Sequence, residues 1–214
     1  MKIIEPSFRW LDGKLPDGHA ILKNIATAGR VCYQSEPNTS DALFVLKIIE
    51  RGHESVLEHE KISVRIICDR GVSHELVRHR IASYSQESTR YCNYSKDKFG
   101  NELTFIRPQW ANVADFDDWS ANRWCAAMQS AEEAYFDLLQ DGWTPEQARS
   151  VLPNSLKTEV VMTANIREFR HFFRLRCSPA SHPQMRQIAL MLLGAFADAV
   201  PVVFEDLRSE FIGD

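Results

Sequence analysis

The sequence has no C-x-x-C pair, and its five cysteines, Cys32, Cys68, Cys92, Cys125 and Cys177, stand far apart. An odd number at such spacing fits neither a disulfide framework nor a zinc ribbon, so reduced and mostly buried thiols are expected. No run approaches the roughly 18 apolar residues of a membrane span, and the opening MKIIEPSFRW lacks the apolar centre of a signal peptide. A cytoplasmic protein with no membrane partner is expected. No G-x-G-x-x-G occurs among the nine glycines. GKLPDGHA, 13 to 20, puts His19 and Ala20 where a phosphate loop requires Lys and Ser or Thr. Any bound nucleotide must therefore be held largely by side chains. Lysine is scarce, with 8 against 17 arginines. A formal net charge of −4 argues against a nucleic-acid partner, whose phosphates usually demand a basic domain.

What is present is enough for a folded core: 44% of the 214 residues are hydrophobic. No repeat, low-complexity tract or linker divides the chain, so one α+β domain is expected, with a mixed or antiparallel sheet against long helices. Strands are predicted at 2 to 10, 103 to 108 and 157 to 163. KISVRIIC, 61 to 68, alternates Ile62, Val64, Ile66 and Cys68 with more polar neighbours, the period of a half-buried strand. Helices are predicted at 18 to 30, at SDALFVLKIIERG with Gly52 as its stop, at 70 to 80 and at 117 to 140. The stripe Trp124, Met128, Ala131, Tyr135 and Leu138 marks the packed face of the last of these. In TPEQARSVLP, Thr144 and Gln147 form a capping box and Pro153 ends the helix. NIREFRHFFRLR follows with Asn165 as N-cap and Glu168 three residues on. Arg167, His171 and Arg174 share one face there, while Ile166, Phe169 and Phe173 face elsewhere. A helix over 183 to 212 should break or kink at Pro201.

Seven of the arginines fall in two windows, 78 to 90 and 167 to 176. Arginine offers a planar fork matched to phosphate and carboxylate, so small anionic ligands are expected there. The first window, RHRIASYSQESTRY, is a row of donors with hardly an aliphatic residue. His74 with Arg78, and Glu75 with His79, are i, i+4 pairs on the predicted short helix. Adjacent helical residues diverge by about 100°, so Arg78, His79 and Arg80 must meet different partners. Such a row suits a junction between ligands or subunits. HESVLEH, 53 to 59, holds two histidines and two glutamates, but His53 and His59 would point roughly 120° apart on a helix. The segment reads as a helix-to-strand connection, or as a ligand site using His53 and Ser55, in preference to a metal site; no metal is expected.

The order Arg78-His79-Arg80, seven residues, then Ser88-x-Arg90 resembles the RHR-x7-S-x-R signature of flavin-dependent thymidylate synthases. GHES at 52 to 55, ARSVLP at 148 to 153 and NIREFRHFFRLR at 165 to 176 are similar to that family's other blocks, in the same order. Ser85 stands where the longer form of the signature has Asn. The resemblance implies FAD as cofactor, with His53, Ser55, Arg78, His79, Arg80, Gln86, Asn165, Arg167 and His171 at flavin positions. It implies a deoxyuridine monophosphate site at Glu75, Leu76, Val77, Arg78, Gln86, Glu87, Ser88, Thr89, Arg90, Arg149 and Arg176. The implied reaction converts dUMP to dTMP with 5,10-methylenetetrahydrofolate as carbon donor and NADPH regenerating the reduced flavin. Active sites between subunits of a homotetramer are implied as well. Within that reading Arg176 is the catalytic candidate, because a positioned cation stabilises charge developing on the pyrimidine. Ser88 suits phosphate hydrogen bonding better than nucleophilic attack, since no general base is visible beside it. Two rival readings are a single-strand binder stacking bases on Tyr84, Tyr91 and Tyr94, and a thiolate methyltransferase using Cys92 or Cys177.

Overall fold

Pro6 divides the first predicted strand. With no N–H it cannot donate to a ladder, and the computed structural model, which describes residues 1–34, 38–114 and 117–213, shows two short strands there, β1 (Lys2–Ile4) and β2 (Ser7–Trp10). The described residues form an α+β fold with mixed strand pairing and long helices. They gather into two compact units, each discontinuous in sequence. The first comprises Met1–Ser7, Ile66–Arg78 and Ser85–Val160; the second comprises Phe8–Arg65, His79–Tyr84 and Val161–Asp214. A four-stranded sheet has the order β2-β3-β6-β4, where β3 is Lys61–Asp69, β4 is Ala82–Gln86 and β6 is Lys157–Asn165. Each of its four strands has residues in both units.

In the first unit β1 pairs in parallel with β5 (Thr104–Ile106), placing Ile3 opposite Phe105. Phe105 also bridges Leu156 antiparallel. Against this small sheet packs α4 (Trp119–Gln140), capped by Asp118, whose carboxylate accepts from Ala121 N at 2.9 Å. The predicted stripe does face inward: Met128 and Tyr135 are buried with Leu103, Phe105 and Leu156, and Trp124 and Leu138 lie against that cluster. The expected capping box of α5 (Pro145–Ala148) is present, with Thr144 N donating to Gln147 Oε1 at 2.9 Å.

In the second unit, α1 (Gly18–Tyr33) and α2 (Asp41–Glu50) lie together, followed by a 3-10 turn, Glu54–His59. Gly52 adopts φ +70, a conformation only glycine takes without strain. It closes α2 by the paired bonds of a Schellman motif, Gly52 N to Ile49 O and His53 N to Ile48 O. That closure delivers His53 to the start of the 3-10 turn. Helix α6 (Ile166–Arg176) then packs with α7 (Pro183–Ala199) and α8 (Pro201–Phe211), the break at Pro201 being as predicted. Phe169, Phe173, Phe196 and Phe204 join them through ring contacts of 4.6 to 5.8 Å. Edge-on pairs, as three of these four are, add about 0.5–1.5 kcal/mol each beyond their buried area, so the carrier of the arginine window is held by a rigid aromatic cluster.

Two expectations around the first arginine window need correction. The helix predicted over 70 to 80 is α3 (Arg70–Leu76), only 7 residues long, and Arg78 and His79 lie beyond its end. The i, i+4 pairing of Glu75 with His79 therefore has no helix to stand on, and tertiary partners of His79 replace it. The stretch after α3, for which no strand is predicted, contains β4. ASYSQ has no alternating aliphatic residues, and its inward side chains Tyr84 and Gln86 are held by hydrogen bonds rather than apolar contact, so the period-2 hydrophobic signal was absent.

Candidate functional site

The second unit brings most of the residues assigned to flavin onto two neighbouring elements. His53, exposed at the head of the 3-10 turn, shares a 2.6 Å hydrogen bond between its Nδ1 and the Tyr33 hydroxyl. Ser55 is exposed one turn residue beyond Glu54. The turn is tied to α6 through Glu54, whose Oε1 accepts from Arg170 Nε at 3.2 Å and Arg174 Nη2 at 3.1 Å. Burial opposes ionisation of Glu54, but those two arginines outweigh it and hold its carboxyl below the usual range. Asn165 caps α6 by accepting from Glu168 N at 2.8 Å, which leaves its amide N–H groups as donors. Arg167, His171 and Arg174 are all exposed, as their spacing predicts. Arg167 pairs with Glu58 at 2.5 Å. Arg80 is exposed in the same unit.

His79 behaves differently from its neighbours. It is 5% exposed, with Nδ1 3.2 Å from Glu168 Oε1, Nε2 accepting from Arg176 Nε at 3.0 Å, and its carbonyl accepting from the Tyr84 hydroxyl at 2.9 Å. Burial, then the charges of Arg176 and His171, push its imidazole down to about 4. Burial raises the Glu168 carboxyl, with His171 opposing. The close contact between them has the geometry of a salt bridge, yet both groups are pushed away from their charged forms. It is a hydrogen bond from a neutral ring. Glu168, three residues after the Asn165 cap, thus commits its carboxylate to His79. Among the described residues, His79, Glu168 and His171 also bring metal-ligating atoms within 4.8 Å of one another. Both ring nitrogens of His79 are already spent on Glu168 and Arg176, and the guanidinium alongside repels a cation, so the group reads as a hydrogen-bonded chain.

The first unit holds most of the residues assigned to the nucleotide. Gln86 ends β4, its amide donating to Ser73 Oγ at 2.9 Å on α3 and to Thr158 Oγ1 at 3.2 Å on β6. Residues 87 to 92 then turn, with Cys92 N donating to Ser88 O at 2.9 Å. Glu87 accepts from Lys157 Nζ at 2.9 Å and from the Tyr94 hydroxyl at 3.0 Å. Thr89 is buried and accepts from Arg149 Nη1 at 3.4 Å. Arg90 is exposed, 3.2 Å from Glu146 and over the Tyr91 ring. The structure therefore ties Arg149 to the 87 to 90 turn through Thr89, while Gln86, just before that turn, is fixed to α3 and β6. Arg78 and Val77 are exposed at the end of α3, whereas Leu76 is fully buried and has only its backbone to offer a ligand.

The rival readings lose their residues. Of the three tyrosines proposed to stack bases, Tyr94 is buried and Tyr84 is bonded to His79, leaving Tyr91 exposed. Burial pushes the Cys177 thiol up to about 12, and burial, then the charge of Glu87, raises that of Cys92, so neither is an activated thiolate. The sequence reading also missed two residues. Arg170 is fully buried, its guanidinium bound by Glu54, by Asp206 at 2.6 and 2.8 Å, and by the Val203 carbonyl. Its signal was present: Ile166, Phe169, Arg170 and Phe173 follow i, i+3, i+4, i+7, and an arginine inside an apolar stripe requires buried partners. For Glu168 the sequence offers only its place near the α6 cap, since no spacing rule links it to a histidine 89 positions away.

The family model described as "Thymidylate synthase complementing protein" matches residues 18–202. The chain is 37% identical over 192 residues to a "Flavin-dependent thymidylate synthase" of Geobacter sulfurreducens, covering 85% of this chain and 80% of that protein. A protein of the same description from Mycobacterium avium is 35% identical over 199 residues, with 87% and 80% covered. One from Pyrococcus abyssi is 36% identical over 152 residues, with 71% and 60% covered.

Proposed function

The chain belongs to the flavin-dependent thymidylate synthase family, and from that premise we propose that it binds FAD and methylates dUMP reductively to dTMP. 5,10-Methylenetetrahydrofolate is the carbon donor, and NADPH supplies the reducing equivalents. The observation that carries this reading is the layout of the RHR-x7-S-x-R stretch. Arg78, Arg80 and Arg90 stand at the surface with Ser88 in a tight turn, while His79 is buried on Glu168 and Arg176. Exposed forks with hydroxyl and amide donors suit phosphate-bearing ligands where no glycine loop exists.

The donor set fits FAD in chemistry. Arg78, Arg80, Arg167 and His171 offer cationic or imidazole donors, and His53, Ser55, Gln86 and Asn165 offer neutral ones. When bound, FAD supplies the hydride chemistry that no side chain provides. The remaining work falls to the protein. Ser88, Arg90 and Arg149 bind the nucleotide phosphate, assisted by Thr89, which seats Arg149. Glu75, Leu76, Val77 and Glu87 line the nucleotide, Leu76 and Glu87 through their backbones because their side chains are committed elsewhere. Arg176 holds the uracil ring and stabilises negative charge appearing on it.

The reading extends to a homotetramer with active sites formed between subunits, and to a cytoplasmic setting. No described helix is long and apolar enough to cross a membrane. A monomeric mass by light scattering, in protein active at that concentration, would contradict the tetramer. The cofactor is tested by the visible spectrum: the purified protein, or protein incubated with FAD and desalted, should be yellow and release FAD on denaturation. Colourless protein that takes up no FAD sinks the assignment.

A further inference from the structure

In the second unit, Glu168, His79 and Arg176 form a chain in which the direction of each hydrogen bond is fixed by chemistry. A guanidinium has donors and no acceptor. Since Arg176 Nε meets His79 Nε2 at 3.0 Å, Nε2 must carry a lone pair, and the single ring proton sits on Nδ1, facing Glu168 Oε1 at 3.2 Å. The other neutral tautomer would set two donors against each other at Arg176 and two acceptors against each other at Glu168. An imidazolium would put a second positive charge against the guanidinium.

We propose that Glu168 and His79 are positioning residues for Arg176: the carboxylate selects the Nδ1–H tautomer, and the lone pair thereby turned outward anchors Arg176 by its Nε–H. Anchoring one edge of a planar guanidinium fixes the plane of its terminal amino groups, the part of arginine that recognises a planar ring edge or a phosphate. The surroundings suit a neutral ring. His79 is enclosed by Glu168, Arg176 and the ring of His171 on α6, by the Phe172 ring at 5.0 Å, and by the Tyr84 hydroxyl of β4 on its carbonyl. The low affinity of the buried ring for a second proton keeps the anchor intact at neutral pH. The role given to Arg176 rests on the thymidylate synthase reading; the tautomer is a property of the protein alone.

The test uses the full-length protein loaded with FAD, as wild type, Glu168→Gln and Glu168→Leu. Two-bond 1H–15N spectra of histidine-labelled protein read the His79 tautomer, and titration with dUMP reads nucleotide affinity separately from turnover. The wild type should show Nδ1–H. Glu168→Gln, whose amide oxygen still accepts, should keep both the tautomer and dUMP affinity. Glu168→Leu should lose the single tautomer and weaken dUMP binding on the order of tenfold or more, with FAD content retained. An Nε2–H tautomer in the wild type overturns the inference even if the leucine variant fails to fold. So does a folded leucine variant that binds dUMP normally. Wild-type protein with the Nδ1–H tautomer but no affinity for dUMP overturns the thymidylate synthase reading instead, and the nucleotide role of Arg176 with it.

Discussion

At the scale of single residues, similar arginines have opposite duties. Arg176 is half-buried and anchored by His79, and in the proposed mechanism its value lies in what its fork recognises. Arg176→Ala should keep the fold and FAD but lose dUMP affinity and turnover by on the order of 10²-fold. Arg176→Lys should rescue poorly, because an ammonium has no Nε–H edge for His79 to hold and no second prong for the nucleotide. Normal dTMP formation by the alanine variant would remove Arg176 from the mechanism. Arg170 touches no ligand in this account. Its guanidinium is fully buried between Glu54, Asp206 and a carbonyl, and truncation leaves Glu54 and Asp206 without it. Arg170→Ala should cost about 3 kcal/mol, read from denaturant unfolding. A loss below about 1 kcal/mol would show that the buried cluster contributes little beyond surface pairing.

At the scale of elements, the N-terminus of α6 allows capping to be tested apart from the proposed ligand binding. Asn165 caps with its oxygen and offers its amide hydrogens to the proposed flavin. Asn165→Asp keeps an equally good cap while replacing donors with a negative charge. It should leave the melting temperature nearly unchanged and empty the protein of FAD. Asn165→Ala should lose about 1 kcal/mol of stability as well. Flavin content equal to wild type in the aspartate variant would reduce Asn165 to a cap. Most of α6 was legible in sequence because its signals are local: an N-cap, an apolar stripe and exposed cations at fixed spacing. The same holds for α4, for the capping box at Thr144 and for the Gly52 stop. What the sequence hid depends on partners distant along the chain. β4 is a strand held by polar contacts, α3 stops early and His79 finds Glu168 89 residues away, and none of these leaves a periodic trace. The site residues were named through the RHR-x7-S-x-R resemblance; their hydrogen-bond order came only with the structure.

For the whole molecule, the buried charges make acid the vulnerable direction. His79 is held at about 4, below its ordinary 6.5, so between those values the unfolded chain takes up a proton that the folded one refuses. Stability from this group is present above about 6.5 and is lost progressively as pH falls towards 4. Glu54, held below the usual carboxylate range, adds a loss only in stronger acid, below about 4.5. Glu168, raised by burial, works in the opposite sense and offsets part of the change. The melting temperature should fall between about pH 7 and pH 4.5, and less steeply in His79→Gln, which has no ring to titrate. Identical slopes for the two proteins would mean that His79 is not held neutral.

The proposed reaction is tested most directly by the fate of the folate. The purified protein, FAD, dUMP, 5,10-methylenetetrahydrofolate and NADPH are combined without air, and nucleotide and folate products are measured together. If the hydride that completes the methyl group comes through the flavin, dTMP should accumulate with tetrahydrofolate in equal amounts, one NADPH should be consumed for each, and omission of FAD from flavin-free protein should stop the reaction. Formation of dihydrofolate in place of tetrahydrofolate, or no dTMP from protein loaded with FAD, would contradict the account.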